Sequence, residues 1–286
     1  IVPGVEVTVV DHPGGRAQGD VLVYGWPHDA ECLPPDRVAT AGTLLELVSA
    51  RSALAAIAHP HGGGAPMNKG VPGLPFGAPA WSGESTDGVG CMELLSHERE
   101  VSEEARETWF SHLGATLGDA APLHAIGGSD AHMPWARPGA RGMTWVRTRG
   151  TGRPDAAAIV AAMRAGHSVV SGAGDFATIA IGDAGPGDRA VVIEGRFTVS
   201  CTQRPIRRRT CTRVQLIGIA AGEAADGAGG SITLCEADGL FEPTFALVCP
   251  AEPVVGFVVG HFVFADSRAG RRVADVWTNP VRITRS

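Results

Sequence analysis

Lysine is almost missing from this sequence: Lys69 is the single lysine among 24 basic side chains, and the formal net charge is −6. That balance offers no basic field to a phosphate backbone, which excludes nucleic acid as a partner. The one strongly basic run, Arg204 with Arg207-Arg208-Arg209, is short and reads as a solvated turn. Together with abundant alanine, glycine and arginine, the lysine shortage reflects a GC-rich genome and points to no function. Nowhere do about eighteen apolar residues run together, so no membrane span is expected. Zinc-ribbon cysteine spacing is absent, and so is any repeat of solenoid length. No Gly-x-Ser-x-Gly turn surrounds Ser129, which argues against a serine nucleophile. No Lys-Ser/Thr follows the glycines at 62 to 64, which rules out a phosphate loop.

What is present is a core. At 286 residues and 44% hydrophobic content the chain fills one large domain or two ordinary ones. It begins at Ile1, directly at a strand-like Val-Glu-Val-Thr-Val-Val, so an upstream portion is expected. Of six cysteines, Cys32 and Cys91 lie early, while Cys201, Cys211, Cys235 and Cys249 crowd the last third. Those four either form two bridges in an exported protein or stay as buried thiols in a cytoplasmic one; the lean is to a secreted or periplasmic location.

Taken in order, Ile1 to Val10 reads as a β-branched strand and Asp20 to Trp26 as a second. Arg37 to Leu54 carries a leucine and valine stripe that predicts a helix, and Ala55 to His61 predicts a third strand ending in histidines. Strand, helix, strand in that order implies parallel pairing. The Gly- and Pro-rich stretch from Gly62 to Gly90 is either a lid, anchored by Trp81, or a poorly ordered loop. Cys91 to Leu95 predicts a strand, Ser102 to Leu117 a helix with Ser102 and two glutamates at its start, and Leu123 to Ile126 a buried strand. Met143 to Arg147 and Asp155 to Ala165 add a strand and a helix. From Val191 onward the pattern turns to strands and turns alone, which predicts an all-β sandwich.

Several polar residues sit where a strand does not want them. Glu6 lies among valines and is either an edge residue facing water or an inward acid held by a cation, since a buried unpaired charge is too costly. His59 and His61 end the third strand. Gly127-Gly128-Ser129-Asp130-Ala131-His132 closes the buried strand with an acid and an imidazole two residues apart, hence on one face. Carboxylate and imidazole together suit Zn, Mn or Fe. In a barrel of parallel strands such residues gather at the carboxyl end from different strands.

Pro-Gly-Val-Glu-Val-Thr at 3 to 8, Ala58-His59-Pro60, Met92-Glu93-Leu94 and Gly-Gly-Ser-Asp-Ala-His resemble the PHP domain of the polymerase and histidinol phosphatase superfamily, in its CehA/McbA-like branch. Gly142 to Val146, Ala161 to Ser171 and Trp277-Thr278-Asn279-Pro280-Val281 extend the resemblance over nearly the whole chain. It implies an α/β fold, an irregular (β/α) barrel over residues 1–188, N-terminally truncated, followed by a β-sandwich over 189–286. It further implies a divalent-metal hydrolase of phosphoesters or of carboxylic and carbamate esters. Glu6, His59, Asp130 and His132 would be metal ligands, with Glu6, Asp130 and His132 catalytic through a metal-bound hydroxide, and the partner a small-molecule ester. The family's His-x-His and Thr-Asp-His motifs do not occur. Gly19-Asp20 stands where a Gly-His pair is expected, so Asp20, or the nearby His12, would be the substitute ligand. Glu93 would orient a ligand histidine from behind it, and His61 would touch substrate or metal.

The rival reading is a truncated or inactive protein that binds through its β-sandwich. His28, His97, His112, His124, His167 and His261 lack partners at ligand spacing and read as surface or core histidines, and Cys91 reads as a core thiol.

Overall fold

The computed structural model describes residues 2–10, 17–26, 40–60, 88–96, 100–117, 121–129, 142–150, 152–192, 196–206, 208–220, 230–250, 256–268, 270 and 272–285. Along the chain, β1 (Gly4–Val10), β2 (Ala17–Tyr24), α1 (Ala41–Ala50), β3 (Leu54–Ala58) and β4 (Cys91–Ser96) come first. Next are α2 (Glu103–Ala115), β5 (His124–Gly128), β6 (Met143–Val146), α3 (Ala156–Arg164), β7 (Ser168–Ser171) and β8 (Phe176–Ile181). Strands alone follow: β9 (Arg189–Val192), β10 (Arg196–Arg204), β11 (Arg209–Ile219), β12 (Ser231–Asp238) and β13 (Thr244–Pro250). The last are β14 (Phe257–Asp266), β15 (Arg272–Thr278) and β16 (Val281–Arg285).

This architecture corrects the expected α/β barrel and, with it, the PHP resemblance. Among the described residues sixteen strands stand against three helices, and no sheet closes on itself. A (β/α) barrel needs parallel strands joined by crossover helices. Here β3 with β4 and β16 with β9 are parallel, and Val10 with Thr40 as a single bridge, while β1 with β2, β2 with β3 and the ladders of β10, β11 and β14 run antiparallel. The expected parallel pairing of β2 and β3 is also wrong. They run antiparallel, with Tyr24 opposite Leu54 and Asp20 opposite Ala58. The end of β2 and the start of β3 lie side by side, so the segment carrying α1 closes a long hairpin instead of crossing the sheet.

The chain forms two compact units, Ile1–Glu93 with Thr148–Arg164, and Leu94–Arg147 with Ala165–Ser286. In the first, α1 is capped by Thr40, whose hydroxyl accepts the Thr43 N–H at 3.3 Å, and buries Leu44 and Val48. These pack with Val9, Val21, Val23, Ala53 and Ala55 into one apolar layer. The guanidinium of Arg164, ending α3, donates to the carbonyls of Ser52 (3.0 Å) and Ala53 (2.8 Å) and satisfies a turn in which Ser52 takes φ +55°.

The second unit is a sandwich. A three-stranded sheet, β13-β10-β8, and a larger one running β12-β11-β14-β15-β7-β6 share one core that includes Ile179, Val199, Val214, Leu216, Phe262 and Phe264. Arg209 corrects the solvated-turn reading of the arginine run. It pairs at 2.6 Å with Asp175, which is fully buried and also accepts the Ile206 N–H at 2.8 Å. The carboxylate is buried because it is bonded on both oxygens. Asn279 joins three segments: its side chain accepts from Ala125 N and donates to Ala125 O, Ser168 O and Ser168 Oγ, all at 2.6–3.2 Å.

Candidate metal centre

Strand register assembles the first unit's polar cluster. β1 lies antiparallel to β2 with Glu6 opposite Leu22 and Thr8 opposite Asp20, and Asp20 in turn faces Ala58 on β3. Because side chains alternate, Glu6, Thr8 and Asp20 share one face, while Val9, Val21, Val23 and Ala55 supply the apolar face beneath. Strict alternation would send His59, the residue after β3, to that apolar side. Its backbone instead adopts φ +26°, rare for a non-glycine residue, and leaves the extended path.

The imidazole thereby meets both acids. His59 Nε2 lies 3.2 Å from Glu6 Oε1 and 3.6 Å from Asp20 Oδ2. Thr8 Oγ1 donates to Asp20 Oδ1 at 2.5 Å, which pins that carboxylate and leaves its other oxygen toward the histidine. One ligand atom each from Glu6, Asp20 and His59 falls within 4.8 Å of the others. His59 and Asp20 are buried, whereas Glu6 is exposed on its outer side. The buried Glu93 carboxylate accepts the His59 backbone N–H at 3.0 Å and so fixes the turn that presents the ring.

Electrostatics favour a positive charge here. Burial alone pushes the His59 pKa down, but the hydrogen bond with Glu6 and the charges of Asp20, Glu93 and Glu6 outweigh it, and the net shift is upward. The Tyr24 hydroxyl is raised well above its ordinary value, first by burial and then by the charges of Glu93, Cys91 and Glu6. Nε2 faces two carboxylate oxygens, an arrangement that is repulsive unless a proton or a cation lies between them. His59 Nδ1 is buried without a hydrogen-bond partner among the described residues. Two carboxylates and an imidazole form a donor set that fits Zn, Mn or Fe.

Three of the expected ligands, Glu6, Asp20 and His59, are therefore brought together, with Glu93 behind the histidine. Asp130, His132 and His61 lie outside the described residues, as do His12, Trp81, His28 and His97. Thr8 is a positioning residue that sequence reasoning passed over, although its two-residue spacing from Glu6 already put it on the same face. The Gly127-Gly128 pair has a packing reason: a Cβ on Gly127 would lie 3.0 Å from the Met143 carbonyl oxygen, where Thr144 Oγ1 both accepts the Gly127 N–H (2.8 Å) and donates to its carbonyl (2.9 Å). Two of the histidines read as surface or core residues find polar partners in the fold. His167 meets Asp188 at 3.0 Å, and His261 meets Gln215 at 3.0 Å and Asp275 at 3.4 Å. Cys91 is a fully buried thiol, pushed up to about 12 by burial.

No protein-family model matches the chain, and no curated protein matches it. Among solved structures, the chain is similar to a LPMO from Kitasatospora papulosa at 14% identity and a TM-score of 0.24. The alignment covers 34% of this chain and spans about half, 51%, of that structure. A likeness at that level assigns neither fold nor chemistry. No helix among the described residues is long and apolar enough to cross a membrane.

Proposed function

We propose that the first unit binds a divalent metal ion through Glu6, Asp20 and His59, and that the site serves hydrolysis of a small ester or phosphoester. The observation that carries this reading is the meeting of three ligand atoms within 4.8 Å on one sheet face. A bound Zn, Mn or Fe ion would supply Lewis acidity, polarising an ester oxygen and lowering the pKa of water. The residues do the positioning. Thr8 orients Asp20, Glu93 holds the His59 backbone, and the exposed side of Glu6 leaves the cluster open to a substrate. Asp130 and His132 are a separate proposal as a ligand pair, resting on their two-residue spacing alone.

Metal content of chelator-free protein, measured by plasma mass spectrometry, tests this. Bound metal in the parent that is lost in Asp20→Ala and in His59→Ala is the expected result. Equal metal in all three proteins would end the assignment. Ester and phosphoester screens on the loaded protein, with Asp20→Ala as control, then test hydrolysis separately.

A second reading, binding through the sandwich unit, is favoured by a cavity of ≈ 290 Å³ lined by Arg106, Arg213, Arg272, His261 and Asp275. His261 stacks on Trp277 there, with ring centroids 3.9 Å apart. A saccharide and organic-anion panel assayed by calorimetry checks it. No heat from any member would remove this reading.

A further inference from the structure

Five cysteines are unbridged among the described residues: Cys91, Cys201, Cys211, Cys235 and Cys249. Their surroundings differ in kind. The Cys201 thiol points back to Val199 O on its own strand at 4.0 Å, and the Cys211 thiol to Arg213 O on its own strand at 3.5 Å. Both are buried. Cys235 behaves differently. Its thiol reaches from β12 to β13, where Sγ lies 3.1 Å from the carbonyl oxygen of Val248, the residue before Cys249. Val248 is exposed and Cys249 buried, so Cys249 turns inward beneath that contact, into the same core against which Cys235 packs. Cys235 is itself half-exposed and open to a reagent.

We infer that Cys235 and Cys249 are a disulfide-forming pair that ties the two sheets of the sandwich together. β12 belongs to the larger sheet through β11, and β13 to the three-stranded sheet through β10. Residues 239–243 connect β12 to β13 in the chain. A bond between the two sulfurs would add a covalent cross-link between the sheets beside the chain's own crossings, at the core that Cys201, Cys211 and Cys249 already line.

The oxidant is a low-molecular-weight disulfide such as oxidised glutathione. Cys235 loses its proton and attacks one sulfur of the reagent, forming a mixed disulfide and expelling one thiolate. Cys249 loses its proton, attacks Cys235 Sγ and expels the second thiolate. Two electrons pass from the cysteine pair to the reagent, and the two protons end on the two released thiols. Burial holds the Cys249 thiol well above its ordinary pKa, so the second displacement is the slow one.

The test uses the full chain incubated with oxidised glutathione, quenched under denaturing conditions with N-ethylmaleimide, digested and analysed by mass spectrometry. The expected product joins the peptides carrying Cys235 and Cys249, with Cys91, Cys201 and Cys211 alkylated. Reduction of that product should lower its melting temperature by roughly 5–10 °C. In Cys249→Ser, Cys235 should stop at the glutathione adduct. Alkylation of both Cys235 and Cys249 in the parent, or a bond from Cys235 to any other cysteine, Cys32 included, would overturn the pairing. An unmodified Cys235 in Cys249→Ser would overturn its role as the attacking thiol.

Discussion

Glu93 was recognisable in the sequence as an acid inside an apolar strand, and its carboxylate accepts the backbone N–H of His59. Glu93→Ala removes the acceptor that holds the φ +26° turn, so metal affinity should fall about 10-fold or more, measured by competition with a chromophoric chelator. An unchanged affinity would mean that the turn stands without it. His124 is one source of acid sensitivity in the second unit. Its pKa is lowered to about 4 from 6.5, first by burial and then by the charge of His167. Gly166, at φ +73°, packs so closely on the ring that a Cβ would lie 2.3 Å from it. Between pH 6.5 and 4 the unfolded chain binds a proton that the folded chain refuses. Stability therefore drops as pH falls through that window, by up to roughly 3 kcal/mol. His124→Leu should flatten this part of the pH–stability curve in denaturant titrations. A curve of unchanged slope would assign the acid sensitivity elsewhere. The spacing of His124 in the sequence carried no sign of this, because burial comes from chain segments distant in sequence.

Local chemistry set the helices. Ser102 was expected to open α2, and its hydroxyl accepts the Ala105 N–H at 3.1 Å, with Glu103 and Glu104 in the first turn. Ser102→Ala should cost about 1 kcal/mol in urea unfolding. Strand pairing is another matter. Asn279, which stands out in the sequence only as part of a resembling motif, satisfies a backbone N–H and two carbonyls of two other segments. Asn279→Ala leaves those buried groups without partners and should cost roughly 2–4 kcal/mol. A loss below about 0.5 kcal/mol would show that water replaces the side chain. Within the arginine run, Arg204 and Arg208 are exposed as expected, and Arg209 departs from the solvated-turn reading. Hydropathy cannot show that Asp175, far upstream, is buried within 2.6 Å of Arg209.

For the whole molecule, ligand linkage separates the two units. Zinc at about a hundred times its Kd should stabilise the first unit by about 2.7 kcal/mol, seen as a rise in its thermal transition, and Asp20→Ala should abolish the rise. A shift that persists in Asp20→Ala would place the metal elsewhere in the chain. What the sequence determined by itself was local: the three helices and most strand positions, the apolar stripes, the strand-only character from Val191 onward, and the suspicion attached to Glu6, Asp20 and His59. The elements follow from side-chain periodicity and the suspicion of Glu6 from the cost of an unpaired charge among valines, which act within a few residues, whereas Asp20 and His59 were singled out as ligands by the resemblance. Sheet order and direction belong to the tertiary structure. A strand, a helix and a strand are compatible with a parallel crossover or a long hairpin, and only the partner chosen across the sheet decides between them. That choice overturned the barrel, set Asp20 beside Thr8, and brought Glu6 and His59 together from the two strands flanking β2.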